Sequence, residues 1–195
     1  DDITTGDQPE AKAVHDLDSR GLMQTAQQMR DRGQFPSGRA IDPAPHIFIG
    51  AADAPRDPDA DFTTDGLQAK IKAGADFFQT QFAFDMDILH RYMDRLWEDG
   101  IPEKAFFIIG IGPIASAKSA RWMNDNLFGV DIPDPIINRL ESAKDQRAEG
   151  RKICIELLQQ LTEIKGVHGA HLMGPNVEKA VIEVVKASGV RDKKD

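Results

Sequence analysis

The sequence predicts an α/β protein in which helices connect the strands of a parallel sheet. Four short apolar runs have the length of strands, at residues 46–51, 76–82, 105–111 and 168–173. Segments with helical periodicity lie between these runs, and alternating strands and helices build parallel sheets. Three of the four runs lack a regular alternation of apolar and polar residues, which predicts strands buried on both faces.

Six segments carry apolar residues at intervals of about 3.6 residues, the pattern of amphipathic helices. They are residues 19–30, 65–75, 85–99, 116–126, 153–164 and 176–187. A further short helix is predicted over residues 136–143, where Pro133 and Pro135 mark its start. Trp97 and Trp122 fall within these helical patterns and are predicted to pack in the outer layer.

Two architectures fit this order, a doubly wound open sheet and a (βα)8 barrel. A dinucleotide-binding sheet would show Gly-x-Gly-x-x-Gly after a strand, whereas Gly110 and Gly112 are followed by Pro113. Polar residues instead follow the strand ends, with Asp53 after one strand and 79–81 (Gln-Thr-Gln) on another. The barrel is favoured because its active site lies at the carboxyl ends of the strands.

The composition is that of an ordinary globular protein, with 195 residues, 41% of them hydrophobic, and a formal net charge of −8. This acidic balance argues against a nucleic-acid partner. No apolar run reaches the ~18 residues of a membrane-spanning helix, so no membrane partner is expected. The first residues lack the pattern of a targeting peptide. Cys154 is the single cysteine of the sequence, which excludes an internal disulfide. We expect a cytoplasmic protein.

Four motifs occur in the order that they have in methylenetetrahydrofolate reductases. Residues 70–85, KIKAGADFFQTQFAFD, strongly resemble that family's K-x-x-AGA-x-x-x-x-TQ-x-x-(F/Y)-D signature. Residues 5–9 (TGDQP) resemble the turn after its fourth barrel strand, and 48–52 (FIGAA) resemble its fifth strand. Residues 110–114 (GIGPI) resemble the segment after its seventh strand. The resemblance covers nearly the whole chain.

The resemblance implies a TIM-type (βα)8 barrel, of which this chain supplies roughly the end of strand 4 through helix 8. Residues 1–190 would then be the C-terminal part of one barrel domain, and 191–195 a charged tail. Such a part exposes unpaired sheet edges, so we expect the rest of the barrel to come from residues outside this sequence or from another chain, which includes a second copy. The family's catalytic acid, a Glu on the first strand, has no counterpart here.

The resemblance also implies an oxidoreductase with FAD as cofactor and NADH or NADPH as co-substrate. It would reduce 5,10-methylenetetrahydrofolate to 5-methyltetrahydrofolate. Two alternatives stay open at this point. One is a non-catalytic barrel subunit that binds folate or stabilises a partner, and the other is a different TIM-barrel enzyme of one-carbon or corrinoid chemistry.

Matching the family's motifs residue by residue gives a set of candidate site residues. Asp7 and Gln81 match residues at the reacting rings, and Phe84 joins them as a candidate for folate binding. An amide suits a site that takes two ligands in turn because it both donates and accepts hydrogen bonds. The residues matching flavin contacts are Thr5, Gly6, Asp7, His15, Asp16, Ala52 and Lys70.

Each candidate also has a structural explanation. Asp7 lies in a Gly-Asp-x-Pro sequence that favours a turn, and Gln81 at a strand end could bond a loop backbone. Phe84 could be a core residue, and Lys70 a solvated helix residue. The five histidines lack metal-ligand spacing, so no metal site is predicted. Cys154 lies among apolar helix residues and is expected to be buried.

Overall fold

A computed structural model describes residues 15–191 of the chain, which divides into two compact units, Asp1–Ile47 and Phe48–Asp195. In the first unit, helix α1 (Ser19–Arg32) begins where Gly21 N donates to the Asp18 carboxylate over 2.7 Å. It ends at Gly33, whose φ of 59° is the left-handed conformation that glycine adopts without strain. None of the described helices is long and apolar enough to cross a membrane.

The second unit alternates strands and helices as predicted. Its elements are β1 (Gly50–Asp53), α2 (Asp65–Lys72), β2 (Phe77–Phe82), α3 (Met86–Glu98), β3 (Phe106–Ile111), α4 (Ala117–Asn126), α5 (Asp134–Ser142), α6 (Gln146–Leu161), β4 (Gly169–Leu172) and α7 (Glu178–Ser188).

All four strands are parallel, and their order in the sheet is their order in the chain, β1-β2-β3-β4. A doubly wound sheet would reverse this order at a switch point. Right-handed connections between successive neighbouring strands place their helices on one face of the sheet. This is the winding of a TIM-type barrel, so the structure excludes the doubly wound alternative for the described strands and is consistent with a barrel.

The two faces of the sheet differ in burial. On the helix-covered face, Phe78 and Phe107 are fully buried, and their rings stack with centroids 5.0 Å apart. On the opposite face, Phe48 and Phe106 expose 61% and 50% of their surfaces. The prediction of strands buried on both faces is therefore wrong for residues 15–191, because helices of this part of the chain cover one face only.

Two element boundaries differ from the prediction by four residues or more. Strand β1 begins at Gly50 rather than at residue 46 because the backbone N–H of Ile49 donates to the Asp76 carboxylate over 2.7 Å. Helix α6 begins at Gln146, seven residues before the predicted start, where the Asp145 side chain accepts from Ala148 N. Its first two turns are mostly polar, so the apolar periodicity begins only in the third. Cys154 is buried there, as predicted, and burial raises the pKa of its thiol to about 12.

Gly150 allows α6 to contact the loop that follows β3. A Cβ atom at this position would overlap the carbonyl group of Ile114. We expect Gly150→Ala to lower the free energy of unfolding by about 1–3 kcal/mol, the usual cost of overpacking. Urea denaturation of the two proteins measures the change.

Gly66 in α2 supplies the matched control because no atom lies within 4 Å of a Cβ built there. Gly66→Ala should raise the free energy of unfolding by about 0.5–1 kcal/mol, since alanine loses less conformational entropy in a helix. A Gly150→Ala protein as stable as the parent would show that α6 can move away from the loop at no cost.

Candidate functional site

The carboxyl end of β2 is irregular where the Thr-Gln sequence lies. Gly110 N donates to Thr80 Oγ1 over 2.8 Å, so a buried hydroxyl replaces a backbone carbonyl as its acceptor. The Thr80 hydroxyl in turn donates to the Gln81 carbonyl, also over 2.8 Å. The pairing register of β2 and β3 shifts between Gln79 and Phe82, which is the effect of an extra residue in one strand.

The side chain of Gln81 is half-buried at this edge. Its Oε1 accepts from Phe82 N over 2.9 Å, and its Nε2 donates to the carbonyl of Phe128 over 3.2 Å. Both partners are backbone groups, which agrees with the structural alternative given above for Gln81, a bond from a strand end to a loop backbone. The second contact joins β2 to an exposed loop, so it is the bond that a ligand could replace.

Lys70 and Ala52 meet at the neighbouring strand end. The Lys70 ammonium donates to the Ala52 carbonyl over 2.6 Å. Ala52 lies level with Gln79 of β2 in the sheet and is exposed. The arrangement places a cation beside an open stretch of sheet that carries no bulky side chain at position 52.

Asp53, the last residue of β1, forms a hydrogen-bonded pair with Tyr92 of α3. The Tyr92 hydroxyl donates to Asp53 Oδ2 over 2.8 Å. Burial raises the pKa of the Asp53 carboxyl, although the bonds from Tyr92 and from the Ala54 amide act to lower it. Burial and the nearby Asp53 charge together raise the pKa of the Tyr92 hydroxyl. This carboxyl therefore holds the strand end in place on its helix-covered side.

An apolar pocket of about 450 Å³ opens beside the ends of β2, β3 and β4. We call it the apolar pocket; it is lined by Phe82, Phe84, Gly112, Pro113, Ile114, Ala115, Lys118, Ser119, Trp122, Met123, Leu127, Met173, Gly174, Pro175 and Val177. Phe84 is buried, and its ring stacks on that of Phe82 with centroids 5.3 Å apart. Apolar walls with few polar groups are typical of small-molecule and cofactor sites.

Two comparisons with known proteins agree on the family. The family model described as methylenetetrahydrofolate reductase matches residues 5–189. "Methylenetetrahydrofolate reductase 1" of Schizosaccharomyces pombe is 31% identical over 156 residues, 74% of this chain and 24% of that protein. The 5,10-methylenetetrahydrofolate reductase of Escherichia coli is 29% identical over 126 residues, 65% of this chain and 35% of that protein.

The chain belongs to the methylenetetrahydrofolate reductase family. It spans about a quarter of the length of the fission-yeast relative. A solved structure of an uncharacterized protein from Clostridium thermocellum, which binds two copies of 5-methyl-5,6,7,8-tetrahydrofolic acid, has a similar fold. Its TM-score is 0.50 at 20% identity, over 75% of this chain and 54% of that one.

The structure brings together four of the residues that the family resemblance singled out. Ala52, Lys70, Gln81 and Phe84 all lie at or beside the carboxyl ends of β1 and β2. His15 and Asp16 are exposed residues of the first unit, before α1. Thr5, Gly6 and Asp7 lie outside the described residues, so their roles stay predictions.

Trp122 differs from its sequence prediction as an outer-layer packing residue. It is 55% exposed and lines the apolar pocket of this family member. The buried residues of α4 are Ala117 and Ala120. Successive helix residues are 100° apart, so Trp122 lies on the side of α4 opposite Ala120. In the sequence, the small residues Ala117 and Ala120 mark the face of the helix that packs inward and could have indicated that Trp122 faces outward.

The raised pKa of Asp53 makes part of the stability depend on pH. The folded protein binds this proton more tightly than the unfolded chain, so protonation stabilises the fold. That contribution is fully present below the unfolded value of 3.8 and is lost as the pH rises through the folded value. Asp53→Asn keeps an oxygen acceptor for Tyr92 and cannot ionise. We expect the stability of the parent relative to this variant to increase on acidification from about pH 7 to about pH 4.5.

Urea denaturation of both proteins at the two pH values measures this change. Asp94→Asn, at an exposed position of the same helix as Tyr92, is the control and should track the parent. A stability difference between parent and Asp53→Asn that stays constant with pH would contradict the assignment of a raised pKa to this carboxyl.

Proposed function

We propose that the full-length protein reduces 5,10-methylenetetrahydrofolate to 5-methyltetrahydrofolate with NADH or NADPH through FAD. The observation that carries the proposal is the juxtaposition of the Gln81 amide with an aromatic-walled pocket at the carboxyl end of a sequentially wound parallel sheet. Family membership and the folate bound by the similar Clostridium thermocellum protein support it.

The chain would be the C-terminal part of a single barrel domain over residues 1–190, from the end of strand 4 through helix 8. The exposed Phe48 and Phe106 support this part of the proposal, since the inside of a TIM barrel is a packed core. Covering that face would remove apolar surface from water. The remaining strands would come from residues outside this sequence or from another chain, and we retain the cytoplasm as the expected compartment.

In this proposal the apolar pocket receives the ring system of the folate. The stacked rings of Phe82 and Phe84 form one wall, and Trp122 stands at the rim. Aromatic side chains favour offset stacking or edge contacts with flat rings. The Gln81 amide bonds the carbonyl of Phe128, and the neighbouring Leu127 lines the pocket, so this amide lies close to the edge of the pocket.

Gln81 would orient the ligand through the bond that its Nε2 now makes to the carbonyl of Phe128. Exchange of that carbonyl for a ring acceptor costs little, because one hydrogen bond replaces another. The Phe128 side chain is 89% exposed, so no packing of this side chain resists the exchange. Asp7, outside the described residues, remains the proposed partner of Gln81 at the rings.

The FAD site would include Lys70 and Ala52. The donor set fits, since the Lys70 ammonium is a cation suited to a diphosphate, and the small Ala52 leaves the adjacent sheet open. FAD, when bound there, would supply the chemistry of hydride transfer between the nicotinamide and the folate. Thr5, Gly6, His15 and Asp16 complete the proposed flavin contacts on the strength of the resemblance.

A non-catalytic folate-binding subunit is the second candidate. One observation favours it, namely that Lys118 is the one titratable residue among those lining the apolar pocket in residues 15–191. Reduction of the methylene bridge needs a proton donor. On this alternative the protein would bind folate and oxidise no nicotinamide.

Purified full-length protein separates the two candidates. The proposal expects a yellow protein whose flavin absorbance is bleached by NADH or NADPH and restored by methylenetetrahydrofolate. A colourless protein that binds 5-methyltetrahydrofolate and leaves nicotinamide unoxidised would support the second candidate and contradict the first.

Gln81→Ala tests the role of the amide. We expect kcat/KM for folate to fall between about threefold and tenfold, the effect of one lost neutral hydrogen bond. The free energy of unfolding should change by no more than about 1 kcal/mol, as measured in urea. Gln160→Ala, at an exposed position of α6, is the control and should leave both quantities unchanged. Folate kinetics equal to those of the parent would remove Gln81 from the site.

A further inference from the structure

An exposed phenylalanine lies in the turn that follows α4, next to the apolar pocket. Phe128 exposes 89% of its surface, the largest fraction of any large apolar side chain in residues 15–191. In the chain it lies between Leu127, which lines the apolar pocket, and Val130, which is buried. A phenylalanine ring in water forgoes the free energy of apolar burial, so packing within the fold does not account for its position. We call residues 127–130 the 127–130 turn.

The base of this turn is fixed by the side chain of Asn124. It accepts from Ile132 N over 2.8 Å and donates to the Ile132 carbonyl over 3.0 Å. Val130 N donates to the Leu127 carbonyl over 3.3 Å, which closes the turn. At the tip, Gly129 has a φ of 72°, and glycine passes readily between backbone conformations. The tip can therefore change conformation while the base stays in place.

The tip contacts the candidate site through Gln81. Gln81 Nε2 donates to the Phe128 carbonyl over 3.2 Å, and this bond is exposed to solvent. A Cβ atom built on Gly129 would lie 3.3 Å from Ala54 Cβ and 3.9 Å from Gln81 Cγ, so the tip lies on the carboxyl ends of β1 and β2. The amide that orients the ligand in the proposed function is therefore the group that holds the tip.

A ligand acceptor that takes the Gln81 amide would break this bond and release the tip. Release costs little, because one hydrogen bond replaces another at the amide. The Phe128 ring can then leave water and pack against a flat ring bound beside Phe82, since aromatic rings attract one another in stacked and edge-on arrangements. The preceding residue, Leu127, already lines the apolar pocket, so the movement involves one side chain and its adjoining peptide groups.

We propose that Phe128 is a ligand-contacting residue, which covers the bound ring system after the ligand has displaced the tip of the 127–130 turn from Gln81. This inference rests on the proposed function. The ligand enters first in this sequence of events, and the turn closes afterwards. Closure should therefore slow dissociation of the ligand and leave its association rate unchanged.

Phe128→Ala tests the contact through the kinetics with which 5-methyltetrahydrofolate binds the full-length protein. We expect the dissociation rate to rise about twofold to tenfold, the effect of one aromatic contact, and the association rate to stay the same. Stopped-flow fluorescence measures both rates. Ile182→Ala shortens an exposed apolar side chain of α7 that does not line the apolar pocket. It is the control and should keep both rates. Parental rates in Phe128→Ala would overturn the inference and leave the proposed function intact.

A reversible cross-link tests the movement of the tip. The 3.3 Å between Ala54 Cβ and a Cβ at position 129 is slightly below the usual separation in a disulfide, about 3.5–4.5 Å. In Ala54→Cys/Gly129→Cys, oxidation would hold the tip on the end of β1. We expect the oxidised protein to bind 5-methyltetrahydrofolate about twofold to tenfold more weakly than the same protein after reduction. The parent, whose single cysteine is buried, is the control for the oxidant.

The decisive comparison adds Phe128→Ala to this cysteine pair. If closure acts through the ring, oxidation should no longer change the affinity once residue 128 is alanine, because the two changes remove the same contact. An undiminished effect of oxidation would show that the cross-link obstructs entry of the ligand, and the inference would be overturned. Should the cysteine pair fail to cross-link, the rates of Phe128→Ala decide the question by themselves. If the parent does not bind 5-methyltetrahydrofolate, the proposed function fails and this inference with it.

Discussion

The candidate site depends on the buried hydrogen bond from Gly110 N to Thr80 Oγ1. Because a side chain accepts where a neighbouring carbonyl otherwise would, β2 uses the three steps from Gln79 to Phe82 where β3 uses two. The extra residue lets the Gln81 amide reach a loop while the ring of Phe82 lines the apolar pocket. Glycine is needed opposite, since a Cβ at position 110 would lie 2.6 Å from the Thr80 carbonyl oxygen. The conformation of β2 at this point therefore requires both Thr80 and Gly110.

The loop at residues 112–117 connects the carboxyl end of β3 with α4 and α6. It follows β3 directly, contacts Gly150 of α6 and receives the Gln146 side chain at the start of α4. The apolar pocket and a second pocket, which residues of α6 and α7 line, therefore share this loop as a wall. Interiors pack densely and respond to added volume by shifting, so a side chain that pushes α6 outward would change the shape of the second pocket.

The sequence predicts β2 and β3 within one residue, β3 because it is a continuous apolar run and β2 because phenylalanines stand at both of its ends. The start of β1 depends on the Asp76 side chain, 27 positions away from Ile49, and local pattern cannot show that contact. Gln81 and Lys70 could be predicted from a motif. The pair of Asp53 with Tyr92 could not, because a buried contact between a strand and a helix arises only when the fold brings the two elements together.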